Sequence, residues 1–229
     1  MLKIGVFARP DVSRGGNRVW QINQQITDVI VQNGAQAMAL IPPVNDYEQP
    51  LKVEEFHLMM QQIDACDGII LQGGDEYYDY DICAVRYLHH IDKPTLGICL
   101  GMQSMAMAFD GEIALLQPFH IEHFQKEVPY VHLVTLSQKS LLAKLLGTTS
   151  LKVNSRHHEA IRKTKLKIVA LSSDDVVEAV EDATKTFFIG VQWHPESMIE
   201  YDKVSKKLFT EFFNSVRRKY ENRGFNQNC

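Results

Sequence analysis

Cysteine is scarce in this 229-residue chain: Cys66, Cys83, Cys99 and Cys229 are the whole set, and no two form a CxxC pair. That excludes a disulfide framework and a cysteine-based zinc site. An excess of one charge is also missing. With 24 basic and 28 acidic residues the formal net charge is −4, which gives no general attraction to nucleic acid or an anionic membrane. No apolar run reaches the roughly 18 residues of a spanning helix, and the opening MLKIGVFARPDVSR has no signal-peptide core. Repeats, low-complexity tracts, Walker sequences and dinucleotide-binding glycine patterns are absent as well. The expectation is a cytoplasmic protein with one domain over 1–229, binding neither nucleic acid nor membrane.

What is present is alternation. LKIGVFA (2–8), AMALIPP (37–43), GIILQGGD (68–75) and TLGIC (95–99) have the short apolar character of buried strands. Between them RVWQINQQITDVIVQNG (18–34), VEEFHLMMQQID (53–64) and DYDICAVRYLHHID (79–92) have helical spacing, and LGMQSMAMAF follows the last strand. This β-α-β-α order predicts an α/β fold with a mostly parallel sheet and helices on both faces. The second half changes character. VHLVTL (131–136), KIVALS (167–172), VVEAVED (176–182) and TFFIGVQ (186–192) read as strands with few helices between them, the last two as a hairpin around ATK. A long helix from about Asp202 to Arg223 turns Leu208, Phe212 and Val216 inward.

Cys99 has unusual neighbours. It ends an apolar run, begins a helical one, and has a glycine two positions away on each side, in GICLG. A sharp strand-to-helix turn crowds those two positions, and glycine relieves the crowding, as in a G-x-S-x-G nucleophile elbow. The following helix N-terminus favours a thiolate and an adjacent oxyanion. A free thiol is mostly protonated at neutral pH, so a base is needed. VQWHPES supplies one: His194 follows a predicted strand, and Glu196 stands two residues on, where its carboxylate can orient the imidazole. The GGD turn ends the strand before the one carrying Cys99. Its backbone N–H groups, from Gly73 or Gly74, would join that of Leu100 in holding an oxyanion.

With LQGGD (71–75), GICLGMQ (97–103), VNSRHHEAI (153–161) and GVQWHPE (190–196) in this order, the sequence resembles the class I glutamine amidotransferase-like proteins, specifically the γ-glutamyl hydrolase branch, peptidase family C26. The resemblance implies a flavodoxin-like three-layer sandwich with additional antiparallel strands in the second half. It implies a Cys99–His194–Glu196 triad that opens a γ-glutamyl amide through a thioester, releasing glutamate and an amine. It also implies Gln103, Asn154, Ser155, His157 and His158 on the glutamyl side, a small γ-glutamyl substrate, and no cofactor. A homodimer is one assembly the resemblance admits. The chain departs from the family in two places. Leu100 stands where many such hydrolases have arginine, and GGDEYYDYD replaces a longer GGGDVxP loop on the leaving-group side. Leu100 favours the rival reading, a glutaminase subunit supplying ammonia to a separate synthetase. A catalytically silent binding protein on the same fold is the third reading.

Other signals are set aside. HIEH (120–123) has metal-like spacing but no evident third ligand, and the adjacent His157 and His158 point apart on an extended segment, so no metal is expected. Met102, Met105 and Met107 fit core packing on the elbow helix. Lys203, Lys206, Lys207, Arg217, Arg218 and Lys219 fit a solvated helix face.

Overall fold

The computed structural model describes residues 1–117 and 121–226, with side chains through residue 221. His120 and Cys229 lie outside the described residues. In the first half, each short apolar run becomes a strand and each periodic run a helix. The order is β1 (Lys3–Phe7), β2 (Arg9–Val12), β3 (Arg18–Gln21), α1 (Gln24–Gln32), β4 (Gln36–Leu40), α2 (Val53–Asp64), β5 (Gly68–Leu71), α3 (Asp79–His90), β6 (Thr95–Ile98) and α4 (Leu100–Ala108). The second half continues with β7 (Glu112–Leu115), β8 (His132–Leu136), α5 (Leu141–Leu146), β9 (Ser150–Val153), β10 (Glu159–Lys163), β11 (Lys167–Ser172), β12 (Val177–Glu181) and β13 (Phe188–Val191). A single 3-10 turn, Pro195–Ser197, and α6 (Lys203–Asn226) follow.

Nine strands form one sheet in the order β4-β1-β5-β6-β13-β12-β11-β8-β9. The first five run parallel to one another. From β12 onward every pairing is antiparallel, and β12–β13 is the expected hairpin. One face carries α1, α5 and α6, whose Ile26, Leu146 and Phe212 enter a shared core with Ile4 and Ile98. The other face carries α2, α3 and α4, through Met59, Leu88 and Met105. The result is the three-layer α/β arrangement expected from the alternation. Leu208, Phe212 and Val216 of α6 are buried as the periodicity requires. No helix among the described residues is long and apolar enough to cross a membrane.

One helix is shorter than its spacing predicts. Residues 18–21 are not the start of α1; they form β3 and pair with β2 as an antiparallel hairpin. The break is at Asn23, whose extended backbone (φ −64°, ψ 119°) and side chain, accepting from Gln25 N–H, cap α1. A side-chain cap competes with continued helix at that position and wins. Gln72 fixes the hairpin beside the sheet, its Nε2 donating to the carbonyls of Phe7 (2.8 Å) and Gln21 (3.0 Å).

Candidate active site

The central parallel strands fix the site. β6 lies between β5 and β13, and the chain leaves β6 directly into α4 through Cys99. Cys99 has φ 51° and ψ −108°, a region that non-glycine residues enter only under strain, about 1–3 kcal/mol. Both glycines of GICLG are required there. A Cβ on Gly101 would lie 2.1 Å from the Leu71 carbonyl oxygen, and one on Gly97 would lie 2.5 Å from Met105 Sδ. The strained turn is held in place by a hydrogen bond from Cys99 N–H to the Val191 carbonyl on β13 (2.8 Å).

β13 also delivers the imidazole. Three residues beyond its end, His194 hydrogen-bonds the Cys99 thiol, and its Nδ1 lies 2.8 Å from Glu196 Oε1. The Cys99 side chain is largely covered but lines a cavity of about 530 Å³, and Glu196 is buried. Burial by itself would depress the His194 pKa. The Glu196 carboxylate and the Cys99 sulfur outweigh that and raise it to about 10. Gly73 permits the approach, since a Cβ there would lie 2.9 Å from His194 Cε1 and 3.6 Å from Cys99 Cβ. Gly74 abuts Leu100 in the same way, 2.9 Å from its Cδ2. Leu100 opens α4, so its N–H has no intrahelical acceptor. Cys66 makes a contrast, because burial in the core pushes its thiol up to about 11.

A second layer of polar groups holds these three residues. Asn154 Oδ1 accepts from His194 N–H (2.8 Å), while its Nδ2 donates to the His194 carbonyl (2.9 Å) and to Ser197 Oγ (2.8 Å). Asn23 Nδ2 donates to Glu196 Oε1 (3.3 Å). Gln192 Nε2 lies 3.5 Å from Cys99 Sγ, and Gln103 Nε2 reaches both Gln192 Oε1 (3.4 Å) and the Glu159 carbonyl (3.0 Å). Asn23 and Gln192 do not stand out in the sequence. The one signal for Gln192 is a polar residue closing an otherwise apolar strand, one place before a buried tryptophan.

The cavity divides the residues expected on the glutamyl side. Gln103, His157 and His158 line it, together with Arg156 and Glu159. Asn154 and Ser155 do not: Asn154 spends its amide on the His194 backbone, and Ser155 is fully buried with Oγ 3.2 Å from His123 Nδ1. The paired histidines do point apart, His158 outward and His157 inward. Opposite them, Gly74, Asp75, Glu76 and Tyr77 form the other wall. That loop is anchored by Arg9, which pairs with Asp81 (2.6 Å, both buried), donates to the Glu76 carbonyl and lies 5.5 Å from the Tyr78 ring centroid. A thiol on a strained turn, an imidazole beside it and a carboxylate behind can together form and hydrolyse an acyl-thioester.

The sequence pattern of the family described as peptidase C26 matches residues 78–196, just over half of the chain. Protein NtpR of Enterococcus hirae is 33% identical over 228 residues, which cover 86% of this chain and 90% of that one. The glutamine-hydrolyzing subunit of GMP synthase from Methanosarcina mazei is 29% identical over 197 residues, covering 83% and 96%. Among solved structures, a putative GMP synthase subunit from Thermoplasma acidophilum superposes with a TM-score of 0.70 over 98% of both chains. At 21% identity it speaks for the fold.

Proposed function

The chain belongs to the peptidase C26 family of class I glutamine amidotransferase-like proteins, and on that premise we propose that it is a cysteine hydrolase cleaving the γ-glutamyl amide bond of a small γ-glutamyl compound. The observation that carries the reading is the strained Cys99 hydrogen-bonded to a His194 that Glu196 holds. In this mechanism the Cys99 sulfur adds to the γ-carbonyl carbon, and the oxyanion takes N–H donors from Leu100 and from Gly73 or Gly74. The C–N bond breaks as His194 gives its proton to the departing amine. The resulting thioester is attacked by water, which His194 deprotonates; sulfur leaves, and glutamate is released. Arg156 and His158 offer cationic partners for the glutamyl α-carboxylate, and Glu159 an anionic one for the α-ammonium.

The wall formed by Asp75 and Glu76 bears on the leaving group. Two carboxylates at the rim favour an amine carrying a further positive charge and disfavour one carrying a carboxylate. The decisive experiment incubates the pure protein with a panel of γ-glutamyl amides, from glutamine and γ-glutamyl-γ-aminobutyrate to γ-glutamyl diamines, and scores glutamate and amine separately. The expected result is turnover greatest for a diamine conjugate and loss of acyl-enzyme in Cys99→Ala. Full activity in that variant would remove the nucleophile assignment. The rival, a glutaminase subunit feeding a separate synthetase, draws on the GMP synthase relatives. It predicts weak release of ammonia from glutamine alone, with strong stimulation by a partner. Binding without turnover across the panel would leave the silent binding protein.

A further inference from the structure

β12 is buried along its whole length, yet it carries two glutamates. Glu181 has an evident purpose: its two carboxylate oxygens accept from Leu141 N–H and Leu142 N–H, each at 2.9 Å, and so cap α5. Glu178 has none of that kind. Neither of its oxygens is hydrogen-bonded, although the residue is fully buried. A carboxylate so placed is costly unless a cation or several donors compensate it.

Three histidines surround it, each from a different segment. Glu178 Oε1 lies 3.6 Å from His123 Nδ1, 3.4 Å from His132 Nε2 and 3.7 Å from His157 Nε2. All four residues are buried, and their ligand atoms lie within 4.8 Å of one another. These separations are too long for good hydrogen bonds, which run about 2.7–3.2 Å. They are close to the ligand-to-ligand edges of a tetrahedron with bonds of roughly 2.0–2.2 Å, which are about 3.3–3.6 Å. We propose that His123, His132, His157 and Glu178 form a closed structural site for one divalent transition metal, zinc by its N₃O donor set.

The surroundings of the rings fit that assignment. A ligating imidazole commonly gives its other N–H to a carboxylate or a backbone carbonyl, which fixes its tautomer. His157 Nδ1 lies 2.9 Å from the Glu159 carbonyl, which directs Nε2 at Glu178. His123 Nε2 lies 3.2 Å from Asp174 Oδ2, which directs Nδ1 the same way. Asp174 is itself held by Ser172 Oγ (2.5 Å) and by Ile121 N–H (2.9 Å). The Ser155 hydroxyl shares the Nδ1 side of His123 and turns away when a metal takes that lone pair. Burial depresses His132, and His157 to about 4, keeping both rings in the neutral form that ligates.

Four protein ligands leave no open position, so the metal is a staple and takes no part in the hydrolysis. It would join the segment around His123 and the segment 154–159 to β8 and β12, and 156–159 form one wall of the candidate active-site cavity. The sequence gives no warning of a metal, because the adjacent His157 and His158 cannot converge on one ion. The ligands are instead one member of that pair and three residues far from it in sequence, with His123 the one HIEH residue included.

The test uses the full chain, stripped with a chelator and titrated with Zn²⁺ and separately with Co²⁺. The expected result is one metal per chain, a melting temperature that rises with zinc, and the intense visible bands of tetrahedral Co²⁺. Glu178→Gln and His132→Asn should lose stoichiometric binding, and Asp174→Asn should weaken it roughly 10–100-fold. A wild-type chain that takes up neither metal at micromolar free concentration overturns the proposal. So does full stoichiometric binding with unchanged cobalt bands in both ligand variants.

Discussion

Replacing Glu196 with glutamine tests the proposed triad at its electrostatic root. Glutamine keeps the size and one acceptor for the His194 Nδ1 proton, but removes the charge. Its amide nitrogen would fall where Glu196 Oε2 is buried without a hydrogen-bond partner. Raising a histidine from 6.5 to about 10 corresponds to several kcal/mol in favour of its charged form, at about 1.4 kcal/mol per tenfold change. Glu196 is the larger of the two favourable influences, ahead of Cys99, so its charge accounts for roughly 2–3 kcal/mol. In E196Q the His194 inflection should therefore drop by roughly 1.5–2 pH units, read by NMR on ¹⁵N-labelled histidine. The stability consequence has a definite sign. A histidine whose folded pKa lies above its unfolded value stabilises fully below pH 6.5, and that contribution disappears as pH rises through about 10. The melting gap between wild type and E196Q is thus widest in mildly acidic buffer and closes towards pH 10. Turnover should fall on the order of 10³–10⁴-fold. An inflection still near 10 in the variant would refute the assignment of Glu196 as the partner that charges His194.

Gly101→Ala places a methyl group against the Leu71 backbone carbonyl. The loss should be about 3 kcal/mol or more, seen as a melting temperature lower by roughly 6–12 °C, together with loss of activity. Asn154→Ala strips the His194 N–H and carbonyl of their side-chain partner. Stability should fall by about 2–4 kcal/mol in urea titration, and kcat should fall more than KM rises, because His194 loses its placement while the cavity walls remain.

Much of this architecture was legible because burial leaves a periodic trace. VEEFHLMMQQID predicted α2 to the residue, and TLGIC followed by LGMQ predicted the turn at Cys99. The hairpin at 176–192 was legible for the same reason. What stayed hidden depends on tertiary partners. Nothing local shows that Val19 and Trp20 would pair with β2 rather than extend α1, because the helix-ending capacity of Asn23 depends on its own side chain folding back. Asn154 reads as one letter of a motif, and only the fold shows that it clasps the backbone of His194, 40 residues further on. Glu178 looks like the exposed half of an alternating strand. It is buried because the sheet continues on both sides of β12.

The position of β13 between β6 and β12 has a consequence for the chain while it is being made. The sulfur at position 99 leaves the ribosome long before the strand that must slot in beside it, and before the imidazole 95 residues later. At about 5–20 residues per second, that interval is roughly 5–20 s. Throughout it the nascent thiol has neither its base nor the Val191 carbonyl that fixes its bend, so hydrolytic capacity is acquired only near the end of synthesis.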